Sequence, residues 1–237
     1  VTLQTPDSSL FNIKAAVVKN AIPQRENWLN MANPDEAAYV KMMKGHKLSS
    51  NENDQLKYYA ISDTAANELE RATDELHGMF MHATDYVLDH PQLLATFGLP
   101  QSILPKINKS WGNRKNQLVT SRFDFAMSET GLKVYEYNCD SASCYMEVAK
   151  VQGKWAKNVG LKGKVDAGGE LFSGLVKAWQ QSGLKGTIHL LQDDDPEETY
   201  HALFMQKVIE AAGYECVHII GLEDLGLGNR NRTTQMG

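Results

Sequence analysis

Polar and aromatic residues alternate between Arg122 and Asn138, in the segment RFDFAMSETGLKVYEYN. The alternation predicts two β-strands, and Glu129-Thr130-Gly131 suits a three-residue hairpin turn with glycine in the left-handed position. In that register Asp124 lies opposite Glu136, and Arg122 lies opposite Asn138. Because strand side chains alternate between two faces, these four polar residues share one face.

The opposite face of the predicted hairpin is aromatic. The same register pairs Phe123 with Tyr137 and Phe125 with Tyr135. Cross-strand pairs of this kind contribute about 0.2–1 kcal/mol each. We expect the aromatic face to pack on helices and to fix the register.

The charged face could bind a metal ion. Carboxylates directly opposite each other have Cβ atoms about 5 Å apart and repel, so a cation between Asp124 and Glu136 would relieve the repulsion. With the Asn138 amide oxygen they form hard ligands that suit Mg²⁺ rather than zinc. Mg²⁺ also binds substrate phosphates, and Arg122 would stabilise charge on a transferring phosphoryl group. A solvated face on which Arg122 and Lys133 neutralise the acids explains the same spacing, and both interpretations stay open.

Two further polar segments could bind substrate. NCDSASC enters the next helix with Asp140 or Ser141 as N-cap, and the Ser141 and Ser143 hydroxyls with the free helix N–H groups would form an anion pocket. QDDDPEE follows a predicted parallel strand, where its acids could bind a polyamine or an α-amino group. Ordinary helix capping, by a serine in the first segment and by Asp195, Pro196 and Glu198 in the second, remains the alternative.

These segments are positioned by a mixed α/β chain. A first helix is predicted to begin at Asn33-Pro34 and to end at Gly45, and a long helix with one buried face begins near Asp63. Further helices are predicted from Pro105, over 144–155 and over 171–179. Thr187–Leu191 and Cys216–Ile220 are predicted parallel strands around a helix over 196–212, with Phe204, Val208 and Ala211 inward and Gly213 as cap. The front section reads as an all-helical layer, in which His77 and His82 are expected to be core or surface imidazoles rather than ligands.

Composition excludes several function classes. The 237 residues carry a net charge of -5 without a basic patch, so nucleic acid is not an expected partner. No apolar run approaches the roughly 20 residues of a membrane helix, and the first residues lack a signal-peptide layout, so we expect a cytoplasmic protein. The three cysteines fit neither a zinc site nor a disulfide framework. Cys139 or Cys144 could be a nucleophile, with a small half-buried hydrophobe as the alternative role.

Three segments closely resemble the glutathionylspermidine synthetase family, relatives of trypanothione synthetase: RFDFAMSETGLKVYEYNCDSAS, RATDELHGMFMHATD and LLQDDDPEETYHALFM. The resemblance covers residues 33–222, after a lead-in or linker over 1–32 and before a truncated or divergent tail over 223–237. It implies the N-terminal part of an ATP-grasp-type synthetase domain. The helical layer, the antiparallel hairpin and the βαβ unit predicted above would be parts of this domain. Cys139 stands where the family has a small residue such as alanine.

The resemblance implies a role for each site residue. The hairpin residues would bind ATP and two Mg²⁺ ions: Arg122 (also stabilising the transition state), Phe123 and Asp124 for the nucleotide, and Asp124, Glu136 (shared by both ions) and Asn138 for the metals. The remaining residues would bind substrates: Ser141 and Glu198 for glutathione, and Glu197 for the polyamine. Ser143 also matches the family pattern and is counted among the substrate-binding residues.

The implied activity is a carbon–nitrogen ligase. ATP would phosphorylate the glycine carboxylate of glutathione, and spermidine would attack the acyl phosphate to form glutathionylspermidine. The family's nucleotide-clamping lysines lie downstream of the matching region, so we expect the isolated chain to be a largely inactive fragment. A parent protein with an N-terminal amidase domain stays open, as does a homodimer. The alternative is a truncated, non-catalytic module that binds glutathione or polyamine or contacts other subunits.

Overall fold

A computed structural model describes residues 13–19, 27–114, 120–128, 131–139, 143–162 and 168–221, and the backbone of 225–227 and 233–235. The helices are α1 (Pro34–Met43), α2 (Asp63–Leu88), α3 (Pro91–Ala95), α4 (Leu104–Gly112), α5 (Gln152–Asn158), α6 (Leu171–Gln181) and α7 (Pro196–Ala211). The strands are β1 (Ile13–Val17), β2 (Lys57–Ile61), β3 (Ser121–Ser128), β4 (Gly131–Cys139), β5 (Ile188–Gln192), β6 (Cys216–Ile220), β7 (Leu225–Leu227) and β8 (Thr233–Gln235). The mixed α/β class predicted from the sequence is confirmed.

The chain forms two compact units, each built from two stretches of sequence. The first comprises Val1–Ala16 and Tyr58–Ser141, and the second comprises Val17–Lys57 and Ala142–Gly237. The hairpin β3–β4 belongs to the first unit, and the crossover β5–α7–β6 belongs to the second.

The first unit contains a strand pair that the sequence analysis missed. β1 pairs with β2 in a two-stranded sheet. The prediction of an all-helical front section is therefore wrong, and the lead-in over 1–32 is not wholly irregular. Both segments are short and rich in apolar and aromatic residues (IKAAV and KYYAI), which suits a strand but is too brief for a clear periodicity.

Helix α2 is the long helix that the sequence predicted. Ser62 caps it, because its hydroxyl accepts a hydrogen bond from the Ala65 N–H at 3.1 Å. The expected buried face is only partly buried, however. Met79 is 65% exposed and Phe80 is 39% exposed, whereas Ala65 is fully buried. The periodicity matches the helix, but it marks an apolar stripe whose burial depends on what packs against it.

The second unit has the predicted βαβ arrangement. β5 and β6 pair in parallel from Ile188 opposite Cys216 to Gln192 opposite Ile220, and α7 connects them. Gly213, with φ of +94°, follows the end of α7 as predicted. The backbone of β7 and β8 forms a further antiparallel pair in the segment predicted to be a tail.

The core of the second unit lies between α1 and α7. Tyr39 of α1 packs edge-on against Tyr200 of α7, with ring centroids 5.2 Å apart. Phe204 and Val208 are fully buried, as predicted. Ala211 is exposed, which corrects the prediction, and Ile209 is buried in its place. The buried stripe of α7 stops before its last residue because the helix ends there.

A buried ion network crosses this core. Asp35 and Glu36, in the first turn of α1, have side chains that are 0% and 1% exposed. Asp35 binds Lys150 and, at 2.7 Å, Lys207 of α7, and Glu36 binds Lys154 of α5 at 2.6 Å. Burial alone would raise the pKa of Asp35, but hydrogen bonds and charge from the two lysines outweigh burial and lower it. The network therefore holds α7 to α1 through ionised groups.

Asn33 precedes α1 at the predicted N-cap position, but its side chain does not cap the helix. Its amide nitrogen instead donates to Glu36 at 2.7 Å. The loop before α1 thus helps to hold Glu36 in place. None of the helices that the structure describes is both long enough and apolar enough to cross a membrane.

Candidate active site

The hairpin β3–β4 carries the predicted polar face. Asp124 lies opposite Glu136 and Arg122 lies opposite Asn138, as the sequence analysis predicted. Phe123 lies opposite Tyr137 on the other face, also as predicted. The predicted register, which places the two carboxylates opposite each other, is therefore confirmed.

The register changes immediately beyond these pairs. Phe125 lies opposite Val134 rather than Tyr135, and Ser128 lies opposite Gly131. Gly131 does have the predicted positive φ, +104°, but the predicted three-residue turn is wrong. Because the pairing starts at Gly131 rather than at Leu132, β4 has one residue more than β3 between the turn and the Asp124–Glu136 pair. A β-bulge next to this pair accommodates the extra residue. Tyr135 falls at this irregularity and is 80% exposed.

Arg122 and Asp124 form a bidentate ion pair along β3. Arg122 donates from Nε to Oδ1 at 2.8 Å and from Nη2 to Oδ2 at 3.1 Å. The bonded guanidinium lowers the pKa of Asp124 below its usual range, and a hydrogen bond with Glu136 lowers it further. The Asp124 carboxylate is therefore ionised at neutral pH, and the guanidinium plane is held in one orientation.

Asp124 and Glu136 lie opposite each other across the strands, which is the arrangement that a divalent ion could stabilise. Beside them the Asn138 Nδ2 atom is buried and has no hydrogen-bond partner among the residues that the structure describes. A buried amide nitrogen without a partner requires an explanation, and a 180° rotation of the amide would present its oxygen, a possible metal ligand, at the same place.

The side chains of Asp124, Glu136 and Asn138 suit Mg²⁺ rather than zinc, which prefers nitrogen or sulfur ligands. Two carboxylates and an amide supply only hard oxygen ligands. Within the described residues there is no group of three His, Cys, Asp or Glu side chains that could hold a metal. A site built from Asp124, Glu136 and Asn138 would thus depend on ligands from substrate or water, as Mg²⁺ sites commonly do.

Aromatic side chains support the polar face from behind. The rings of Phe123 and Tyr137 stack with centroids 4.0 Å apart and planes 4° apart. Phe80 of α2 packs on both, at 6.0 Å and 5.0 Å. The Tyr137 hydroxyl shares a hydrogen bond of 2.5 Å with His77 Nδ1. The aromatic face therefore packs on a helix as predicted, and His77 is a satisfied imidazole.

Glu197 and Glu198 lie in the first turn of α7, in the second unit, and both are exposed. Asp195 caps the helix by accepting from the Glu197 N–H at 2.7 Å, and Pro196 occupies the first turn, as the capping interpretation predicted. Glu198 does not complete a capping box with Asp195. It accepts instead from the Asp193 N–H at 2.9 Å, and so orders the acidic loop.

A buried glutamine fixes the same loop from inside. Gln192 is 5% exposed, and its amide nitrogen donates to the Asp193 carbonyl at 2.8 Å and to the Thr199 hydroxyl at 3.0 Å. Its amide oxygen contacts His218 Nε2 of β6. The acidic loop is thus held at the carboxyl ends of the parallel strands, where ligands collect in α/β folds.

Sequence reasoning missed a second cluster behind this loop. Tyr200 donates from its hydroxyl to Glu147 Oε1 at 2.5 Å, and His201 Nε2 lies 3.9 Å from the same oxygen. Burial lowers the pKa of His201, although the charges of Glu147, Glu197 and Glu198 oppose the shift. Both His201 ring nitrogens and Glu147 Oε2 are buried without a hydrogen-bond partner in the described part of the chain.

Only the spacing of Glu197 and His201, four residues apart on one helix, could have indicated the cluster. Glu147 lies in a short π-helix, Glu147–Val151, a feature frequent at functional sites. Three carboxylates around a histidine that burial keeps neutral make this end of the second unit locally negative. Such a surface favours cationic ligands.

The structure describes only some of the remaining predicted site residues. Ser143 is half-buried in the second unit, and its hydroxyl lies 3.6 Å from the sulfur of Cys144. Ser141 and the predicted N-cap Asp140 lie outside the described residues, so the anion pocket stays a prediction. Cys139 is half-buried and Cys144 is exposed, and neither forms a disulfide bond within the described residues.

Comparison with known proteins decides the family. The model of the family described as "Glutathionylspermidine synthase preATP-grasp" matches residues 19–236, which is most of the chain. The chain belongs to the glutathionylspermidine synthase preATP-grasp family. The resemblance seen in the hairpin and the acidic loop is thereby confirmed, and the match extends beyond the predicted boundaries on both sides.

Curated relatives of this chain are named as synthetases or as a putative ligase. It is 40% identical over 218 residues to the bifunctional glutathionylspermidine synthetase/amidase of Escherichia coli (strain K12), covering 92% of this chain and 34% of that protein. It is 34% identical over 197 residues to trypanothione synthetase of Crithidia fasciculata, covering 81% of this chain and 30% of that protein. A putative acid–amine ligase of Haemophilus influenzae is 28% identical over 183 residues, covering 73% and 45%. The chain thus spans about a third of the length of the first two relatives.

Proposed function

We propose that this chain carries the phosphate-facing part of an ATP- and Mg²⁺-dependent ligase that joins the glycine carboxylate of glutathione to spermidine. The observation that supports the proposal most directly is the pairing of Asp124 with Glu136 on one hairpin face beside Arg122. The names of the relatives agree with a glutathione–polyamine ligase.

Asp124, Glu136 and Asn138 would hold the Mg²⁺ ions. When bound, the ions would neutralise charge on the ATP phosphates. The assignment explains two features: the Asn138 amide, whose Nδ2 atom has no hydrogen-bond partner among the described residues, and the position of Asp124 opposite Glu136. The expected second ion, with Glu136 shared, belongs to the same proposal.

Arg122 would stabilise the phosphoryl group during transfer from ATP to the glutathione carboxylate. Its ion pair with Asp124 orients the guanidinium before substrate binds, so little reorganisation is needed at the moment of reaction. The transfer forms an acyl phosphate and releases ADP. The spermidine amine then attacks the acyl carbon, and phosphate leaves as the amide forms.

The second unit would bind the other substrates. Glu197 is exposed at the start of α7 and would pair with an ammonium group of the polyamine. The carboxylates Glu147 and Glu198 make the same region negative, which supports a polycation as ligand. Within the second unit, Glu198 would contact glutathione and Ser143 would contribute to substrate binding. Ser141, which belongs to the first unit, keeps the glutathione-binding role that the family resemblance implies.

The test is phosphate release from ATP by the complete protein. We expect release to require glutathione and spermidine together and to depend on Mg²⁺. Glu136→Gln should abolish it, because the neutral amide removes one of two charges facing the metal. Glu75→Gln is the matched control, since Glu75 is an exposed glutamate that pairs only with Arg71 among the described residues.

Two results would count against the proposal. Ligation by Glu136→Gln at the wild-type rate and Mg²⁺ dependence would remove the metal role of the hairpin. Binding of glutathione or spermidine without any phosphate release from ATP would favour the non-catalytic binding module instead.

A further inference from the structure

The polar face of the hairpin is held by one aromatic pair. Phe123 lies between Arg122 and Asp124 in sequence, and Tyr137 lies between Glu136 and Asn138. The two rings stack at 4.0 Å on the opposite face of the strands. Any rotation of this pair therefore moves all four polar side chains together.

The strand pairing of the hairpin gives it limited stability by itself. Within the described residues β3 and β4 form a two-stranded sheet, and an isolated two-stranded hairpin is at best marginally stable in water. A β-bulge interrupts the ladder directly beyond Asp124 and Glu136. The orientation of the polar face must then come from the packing of its aromatic side on a helix.

Helix α2 supplies that support through two residues three positions apart on one face. Phe80 packs on Phe123 and Tyr137 without a directional bond. His77 adds the directional contact: its Nδ1 atom and the Tyr137 hydroxyl are 2.5 Å apart, and the two rings meet edge-on at 6.0 Å. A hydrogen bond sets both distance and angle, whereas apolar contact tolerates sliding.

We propose that His77 and Tyr137 are positioning residues for the phosphate-facing site: their hydrogen bond locks the hairpin on α2 and so sets the geometry of Asp124, Glu136 and Asn138. Neither residue lies on the polar face, and neither is expected to touch the metal or the substrate. The inference rests on the proposed function. It assigns to α2 a role that the hairpin sequence does not reveal.

The test compares Tyr137→Phe, His77→Ala and the double variant in the complete protein, with steady-state ligation measured against Mg²⁺ concentration. Outer partners that orient metal ligands typically change metal affinity or activity by about 10–100-fold. We expect each single variant to raise the Mg²⁺ concentration for half-maximal rate and to lower kcat by about 10-fold. The double variant should be no worse than either single variant, because one bond is lost in all three.

Two controls separate positioning from folding. His77→Gln keeps a hydrogen-bonding group and should recover much of the lost rate. Tyr59→Phe removes the hydroxyl of a tyrosine that is 74% exposed and should change nothing. All variants are first compared with the wild type by circular dichroism.

Several results would overturn the inference. Variants that lower the melting temperature but keep kcat and the Mg²⁺ dependence would show a structural role only. Losses that multiply in the double variant would show that the two residues act independently. If Tyr137→Phe keeps a normal Mg²⁺ dependence while Glu136→Gln is inactive, the positioning role is refuted but the proposed function is not. If both variants ligate normally, the proposed function is refuted as well.

Discussion

Replacing Asp35 by asparagine should destabilise the second unit more than any surface substitution. Asp35 is fully buried, and its carboxylate binds Lys150 and Lys207. Asparagine has nearly the same shape but no charge, so two partly buried lysines lose a counter-ion. Breaking a buried ion pair in this way costs about 3–5 kcal/mol.

The structure indicates a value near the lower end of that range. The Lys207 side chain is 32% exposed, so water can partly solvate it after the substitution. Lys150 keeps a second carboxylate, since Glu36 Oε1 lies 3.8 Å from its Nζ atom. We therefore expect a loss of about 3 kcal/mol, or a fall in Tm of about 6–12 °C for a chain of this size.

Differential scanning calorimetry and urea denaturation at pH 7 measure the effect. Asp54→Asn is the matched control, because Asp54 pairs with Lys57 on the surface, where such pairs contribute less than about 1 kcal/mol. The idea is refuted if Asp35→Asn costs no more than Asp54→Asn. Because α7 carries Glu197, the proposed polyamine-binding residue, the loss of stability in Asp35→Asn should be accompanied by an increased KM for spermidine.

The pH dependence gives an independent check on the same carboxylate. The pKa of Asp35 is lowered in the folded protein despite burial, so folding favours its ionised form. Its contribution is complete above the unfolded value of about 3.9 and is lost as pH falls through the folded pKa. The stability difference between wild type and Asp35→Asn should therefore be constant near neutrality and shrink in acid.

Three further outcomes are expected. Arg122→Ala should lower kcat for ligation by about 10²-fold or more with a smaller change in KM for ATP, and an unchanged kcat with only a raised KM would contradict its role in the transition state. Tyr200→Phe should lower the free energy of unfolding by about 1–2 kcal/mol, measured by urea denaturation, because Glu147 loses a buried donor; no loss would show that the bond contributes nothing. Burial raises the pKa of Cys216 to about 11, so it should react with iodoacetamide at pH 8 far more slowly than the exposed Cys144, and mass spectrometry of tryptic peptides would detect equal rates if this is wrong.

The elements that the sequence predicted best are those with local signals. Asn33-Pro34, Ser62 and Asp195 each precede a helix that starts where its first-turn residues indicate. The βαβ unit followed from two short apolar strands around an amphipathic helix ended by Gly213. These signals act within a few residues, so no knowledge of the tertiary structure is needed to read them.

The predictions of the hairpin turn and of the burial of Ala211 were wrong, because the local sequence pattern is compatible with more than one arrangement. A turn shorter by one residue, compensated by a bulge, keeps Asp124 opposite Glu136 but removes Tyr135 from its predicted partner. The alternation of polar and aromatic residues is compatible with the three-residue turn and with the shorter turn, since the bulge restores the pairing of Asp124 with Glu136. The exposure of Ala211 is a similar case, because periodicity does not say where along a helix the contact ends.

By itself, the sequence determined the family, the helices around the crossover and the meeting of two acids on a hairpin face, because strand alternation and helix periodicity are properties of neighbouring residues. The tertiary structure decided which polar groups are buried and what satisfies them. Lys150 and Lys207 reach Asp35 from 115 and 172 residues away, and His77 reaches Tyr137 from 60 residues away. Contacts between residues so far apart follow from how the elements pack, which no local pattern specifies.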